Sequence, residues 1–501
     1  MEVTESQHSS RGTLQTVFMI AGKITALVAT FAVPLVLTRL LSKSEYGIFS
    51  QFYVVVFFCT GIFNISVQSN LYFFYPTAND QNRKSLVFQT LLFLIFVAIL
   101  AVSLISIPGI GRLLIGERDL YEYKNYILTG IILLMPVFII EPLYVVKKDI
   151  YTSLIYPPAE VLLRLTLVIG LFLLKPGLNS IFSGIIISAT TCLVFVLLYT
   201  AKDVGIRNIN RSIFNWELAK KQLIYSIPFG MAASLNVLFQ RFDKIICISF
   251  LTPADFAVYA ISFYGIPGIL QVFDSLAQIY LIQMTVKHQE NKTSELRDIY
   301  KALVSKTYSF SFPALLIVMI YTKKIIVFLF TRNYVDAVPL FRAYLFSILI
   351  FMLSSGLILR ATGKTNYTLR SYFLSGAVTL PLTYFLIKYY GIWGAMTGAL
   401  ISISLPRFLN LATEIKLLKS NLIDFFPWRK FAQITLISTI SVIPFGAIEY
   451  FFDYGILTTV LLGLTYITIV SVLELKYNLF AIDSSTIKAR IMSRIRFLKN
   501  R

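Results

Sequence analysis

In the stretch NVLFQRFDKII, residues 236–246, Asn236, Gln240 and Lys244 recur every four positions, and Arg241 stands beside them. Positions four apart share one face of a helix. The stretch lies in an apolar run, 223–251, that is long enough to cross a bilayer. A charge near the centre of hydrocarbon costs at least about 2.5–3.5 kcal/mol, so it needs a wet cavity or a partner. Lys23, Arg164 and Arg407 raise the same question in other apolar runs. Arg39 and Arg342 fall near run ends, where a long stem can reach the headgroups. We read Lys23, Arg164, Asn236, Gln240, Arg241, Lys244 and Arg407 as the lining of a cationic cavity for an anionic substrate. Phosphate suits it, because guanidinium and ammonium groups both match phosphate oxygens.

Four acids accompany these cations inside apolar runs: Glu141, Glu160, Asp243 and Asp274. They could carry H+ or bind Na+ for coupling to an ion gradient, or they could neutralise the basic residues. Pairing of Lys244 with Asp243 or Asp274 is the structural alternative to cavity lining. No catalytic constellation accompanies them. His8 and His288 are the only histidines, and neither has ligand-type neighbours. Cys59, Cys192 and Cys247 lie in apolar runs and suggest no disulfide framework. The ATGKT stretch at 361–365 has Ile358 where a phosphate loop requires glycine. We therefore expect no enzyme activity, no metal and no cofactor.

The elements that must position these residues follow from composition. Of 501 residues, 57% are hydrophobic and 14% charged, against about 25% charged in soluble globules. Apolar runs fall at 14–41, 47–69, 86–107, 125–146, 155–174, 179–200, 223–251, 256–281, 307–322, 339–359, 371–387, 391–415, 431–450 and 455–473. The expected fold is an all-α integral membrane protein with about fourteen transmembrane helices. Lys and Arg gather between the runs, roughly 29 on one side against about nine on the other. That bias places both termini in the cytoplasm. It also explains the net charge of +20 without nucleic acid. The tail DSSTIKARIMSRIRFLKNR spaces Ile487, Ile491, Ile495 and Leu498 helically among basic residues, a pattern suited to anionic membrane lipids.

Two stretches recur. LLSKSEYGIFS at 40–50 is echoed by FLTPADFAVYA at 250–260, and GLNSIFSGIIIS at 177–188 by GIWGAMTGALIS at 391–402. The two offsets nearly agree, roughly 210 residues, which indicates an internal duplication. Ser42 with Glu45, and Thr252 with Asp255, fit helix-capping pairs. Six spans would match six in the same orientation, related by a pseudo-two-fold axis along the membrane normal. The expected organisation is a cytoplasmic N-terminus, 1–13; a six-helix bundle, 14–200; a basic linker, 201–222; a second six-helix bundle, 223–415; a cytoplasmic loop, 416–430; two added helices, 431–473; and a basic amphipathic tail, 474–501.

LTRLLSKSEYGIFS, RFDKIICISFLTPADFAVYA, RATGKTNY and YYGIWGAMTGALIS resemble the corresponding stretches of Wzx-type oligosaccharide-lipid flippases. Those belong to the bacterial polysaccharide transporter family, in the multidrug/oligosaccharidyl-lipid/polysaccharide exporter (MOP) superfamily. The resemblance implies alternating access and outward movement of a polyprenyl-pyrophosphate-linked oligosaccharide across the bacterial inner membrane, for O-antigen, capsule or exopolysaccharide. It implies a polysaccharide polymerase and glycosyltransferases as partners. The competing readings are an ion-coupled multidrug exporter of the same superfamily and a non-transporting membrane scaffold.

Overall fold

Every regular element among the described residues is helical. Lipid cannot satisfy backbone amides and carbonyls, so each span must satisfy its own. The computed structural model describes residues 25, 32–116, 119–204, 214–266, 269–353 and 356–479. The main helices are α1 (Lys43–Phe63), α2 (Asp80–Ser106), α3 (Lys124–Val137), α4 (Ile150–Leu174), α5 (Leu178–Val204), α6 (Trp216–Phe250) and α7 (Pro253–Ser262). They continue as α8 (Ile269–Gln289), α9 (Thr293–Phe330), α10 (Ala337–Leu345), α11 (Leu357–Ala361), α12 (Thr365–Leu417), α13 (Trp428–Phe451) and α14 (Ile456–Lys476).

Among the described residues, nine helices are long and apolar enough to cross a membrane. The sequence suggested about fourteen, and the two numbers are compatible. Most of the run 14–41 lies outside the described residues, as do Lys23 and the amphipathic part of the tail from 480 onward. The 53-residue α12 joins two apolar runs across Gly391, whose φ of 55° breaks the helix. α6 and α8 are long enough but are not among the nine counted on the described residues. The run 339–359 is not continuous: it contains α10, a short helix Ser347–Phe351 and then α11, which restarts after Gly356. The buried Glu414 carboxylate accepts the amides of Ile358 and Leu359 at 2.8 and 3.3 Å, giving partners to donors that the break would orphan.

The described residues divide into two compact units. One covers those within Met1–Ala257 and Ile387–Ala395, the other those within Val258–Leu386 and Met396–Arg501. In the first, α4 packs on α5, α3 on α5, and α2 on α3. Val67, Leu71, Leu86, Leu94, Leu143 and Val196 belong to its buried core. α6, which the sequence places at the start of a second bundle, packs against α1 in this unit. In the second unit α13 and α14 pack on each other and on α9, around Ile317, Tyr321, Val442, Phe445, Tyr466 and Val470. Lys324 on α9 pairs with Glu449 on α13 at 2.9 Å. Ser309 on α9 donates to the fully buried Glu474 on α14.

The echoes in the sequence are echoes in local geometry. Ser42 caps α1: its hydroxyl accepts the Glu45 amide at 3.2 Å, and the Glu45 carboxylate accepts the Ser42 amide at 2.9 Å. At α7 the Thr252 hydroxyl accepts the Asp255 amide at 3.2 Å and donates to the Asp255 carboxylate at 2.7 Å. The second echo is a helical hairpin. Gly177 and Gly391 take positive φ, 137° and 55°, at the turns. Seven residues later, Gly184 and Gly398 lie under the preceding helix. A Cβ on Gly184 would sit 2.9 Å from Val168 Cα, and one on Gly398 2.8 Å from Thr383 Oγ1. The caps give a direct test. Ser42→Ala with Glu45→Ala should lower unfolding stability by about 0.5–2 kcal/mol. An unchanged thermal midpoint in detergent would remove the role of that box.

Candidate functional site

α1 carries Phe49, Tyr53 and Phe57 at four-residue spacing, so one helix face becomes an aromatic stripe. The Phe49 and Tyr53 rings meet edge to face at 4.9 Å, and Tyr53 stacks on Phe57 at 5.6 Å. Two cations flagged by the sequence come to this stripe from different helices. Arg164 on α4 lies beside the Tyr53 hydroxyl and pairs with Glu160, one turn earlier, at 3.9 Å. Arg241 on α6 stands over the Phe57 ring at 5.8 Å. Tyr53 is near the middle of the 21-residue α1 and Arg164 lies well inside the 25-residue α4. Both positions are deep along spans, where a charge needs compensation. Glu160 supplies part of it for Arg164, and the ring face supplies part for Arg241.

The remaining candidates are placed differently. The Lys244 ammonium lies 3.2 Å from the Asp243 carboxylate, whose residue is only 6% exposed, so this pair takes the structural alternative weighed from the sequence. Gln240 is exposed, and Asn236 lies on α6 with its side chain outside the described set. Arg407 belongs to the second unit. Its Nη1 donates to the Ile403 carbonyl at 2.6 Å and its guanidinium covers Phe351 at 4.2 Å. Glu141 and Asp274, expected to be buried acids, are exposed. An acid inside an apolar run can still face outward from its helix, and the run alone does not fix which way it faces. Among the described residues, no cluster of His, Cys, Asp or Glu is arranged to hold a metal ion.

Sequence reasoning missed Tyr53 and Phe57, although the spacing of Phe49, Tyr53 and Phe57 was a readable signal. It also missed Glu414 and Glu474, both fully buried. Each is followed within two residues by a lysine, Lys416 or Lys476, which makes them read as cytoplasmic edge.

Two apolar cavities lie within the units. In the first, a cavity of about 550 Å3 between α4 and α5 is lined by Ile155, Tyr156, Glu160, Leu163, Cys192 and Phe195, among others. Glu160 thus faces a cavity and also compensates Arg164. At the start of α4, Asp149 caps the helix. Burial pushes its carboxyl up, but hydrogen bonds from Thr152 and Tyr199 outweigh that and hold it below the usual carboxylate range. In the second unit a cavity of about 990 Å3 is lined by Tyr308, Leu353, Phe408, Trp428, Phe431 and Leu436, among others.

The profile of a family described as Polysaccharide biosynthesis protein matches residues 36–339. No curated protein matches the chain. Solved structures do. The lipid II flippase MurJ in an inward closed conformation is 14% identical, with a TM-score of 0.66 over 92% of this chain and 99% of that one. An inward-facing multidrug resistance MATE family transporter of the MOP superfamily is 11% identical, with a TM-score of 0.57 over 80% and 98%. The eukaryotic MATE transporter AtDTX14 is 13% identical, with a TM-score of 0.51 over 86% and 99%. At such identities the likeness is one of fold, and that fold is the one shared by MurJ and MATE transporters.

Proposed function

We propose, on the premise that this chain belongs to the polysaccharide biosynthesis protein family, that it moves a polyprenyl-pyrophosphate-linked oligosaccharide across the bacterial cytoplasmic membrane, with both termini on the cytoplasmic side. The observation that carries this reading is the meeting of Arg164 and Arg241 on the aromatic stripe of α1. A pyrophosphate needs cations, and guanidinium groups bind phosphate oxygens through paired donors. Aromatic faces offer a flat apolar surface to the carbon-bound faces of sugar rings. A polar head of this size cannot cross hydrocarbon unaided, so a site of this kind lowers a barrier and makes no covalent bond. The apolar cavities have the chemistry of a polyprenyl tail. Alternating access between two duplicated bundles completes the reading.

Proteoliposomes loaded with a fluorescent lipid-linked oligosaccharide test it. Protein-dependent movement of the probe to the opposite leaflet is the expected result. Efflux of cationic drugs with no movement of the glycolipid would replace the reading with a multidrug exporter. Movement of neither would leave a scaffold.

A further inference from the structure

The cavity between α4 and α5 has apolar and aromatic walls and one charge. Tyr151, Ile155, Tyr156, Leu163 and Phe195 form much of the wall, and among the described lining residues only Glu160 is charged. Glu160 is the eleventh of the 25 residues of α4, which places it about 15 Å along the axis at 1.5 Å per residue. That is about half of a hydrocarbon core roughly 30 Å thick. Its compensation is thin. Arg164 comes no nearer than 3.9 Å, lies outside the cavity lining, and is itself drawn to the Tyr53 hydroxyl on α1. Among the described residues no hydrogen-bond donor reaches the Glu160 carboxylate. The buried Tyr156 hydroxyl, in the same wall, has no oxygen or nitrogen partner.

Such a cavity selects for charge as well as for apolar bulk. A carboxylate among apolar groups attracts a cation more strongly than it does in water. Tyr156 and Phe195, stacked with ring centroids 5.4 Å apart, add the negative faces of their rings. The volume of about 550 Å3 is that of a small-molecule site. Ile155 and Ala159 are exposed, so the cavity has an open side. A calcium or magnesium ion would find one carboxylate where it needs about six oxygens. The ammonium of a phospholipid stays at headgroup level, well short of the depth of Glu160. A polyprenyl chain would suit the walls and leave the carboxylate unmatched. A cation whose charge is wrapped in apolar groups suits both.

We propose that the α4–α5 cavity binds a lipophilic organic cation, with Glu160 as its counter-charge and Tyr156 and Phe195 as its aromatic wall. The claim is one of binding, and it stands whether or not the chain moves a glycolipid. The test uses the full-length protein in nanodiscs, with radiolabelled tetraphenylphosphonium as probe and empty nanodiscs as the measure of partition into lipid. Tetraphenylborate, alike in size and shape but negative, is measured separately. Tetraphenylphosphonium should bind saturably and at least about tenfold more tightly than tetraphenylborate. Glu160→Gln should weaken that binding by a similar factor. Ala159→Phe places a ring in the cavity from an exposed position and keeps the carboxylate, so it should abolish binding while the thermal midpoint stays near that of the parent. Uptake no greater than that of empty nanodiscs would overturn the proposal. Equal affinity for the two probes would reduce the cavity to an uncharged apolar slot and overturn it as well. Binding that survives Ala159→Phe would place the cation elsewhere, with the same consequence.

Discussion

Replacing Arg164 and Arg241 together by glutamine should cut glycolipid movement in proteoliposomes by about a hundredfold or more, with expression and folding retained. A hydrogen bond to a charged group contributes about 1.5–3 kcal/mol. Two lost at a barrier together give a factor on the order of 10²–10⁴. The pair is chosen on geometry. Both cations attend one aromatic stripe, whereas Lys244 is held by Asp243. Removing Lys244 would strand a carboxylate only 8% exposed, and the resulting loss would confuse folding with transport, whereas Glu160, the partner of Arg164, is 30% exposed. Arg241→Lys is the discriminating single variant. It keeps the charge but loses the planar group that lies over Phe57, so it should retain part of the activity. Full activity in the double glutamine variant would end the assignment of this stripe as the substrate site.

The second large effect concerns Gly47. A Cβ there would fall 1.8 Å from the Pro253 carbonyl oxygen, well inside contact distance and against backbone. Gly47→Ala therefore forces α1 away from the start of α7, at a cost of about 1–3 kcal/mol or more. That outweighs the gain of about 1 kcal/mol that alanine brings to a helix interior. Gly170 on α4 is the control, because nothing lies within 4 Å of its would-be Cβ. Gly170→Ala should be neutral or slightly stabilising. Equal thermal midpoints for the two variants would show that the close approach at Gly47 does not matter to stability.

Those two positions also mark what the sequence could and could not say. The capping pairs at Ser42 and Thr252, and the glycines at 177, 184, 391 and 398, were legible because local backbone chemistry fixes their residue types. The membrane class was legible because hydrocarbon imposes long apolar runs. Arg164 and Arg241 stood out as charges in such runs. Their meeting on Tyr53 and Phe57 did not, because it depends on how α4 and α6 approach α1. With 42 phenylalanines and 29 tyrosines in the chain, aromatic spacing alone selects too many stripes. The break before α11 was hidden for a related reason. Its donors are satisfied by Glu414, more than fifty residues away in sequence, and nothing near residue 356 announces that partner.

The seating of Glu474 against Ser309 bears on how the chain is made. The two residues are 165 positions apart, and Glu474 has no exposure once assembled. α14 therefore leaves the insertion machinery carrying an acid whose resting place was built much earlier. Biogenesis of the hairpin formed by α13 and α14 is conditional on α9 being already in position. A nascent chain damaged there would present an unsheltered carboxyl to lipid, a mark by which membrane proteases could distinguish failed products from finished ones.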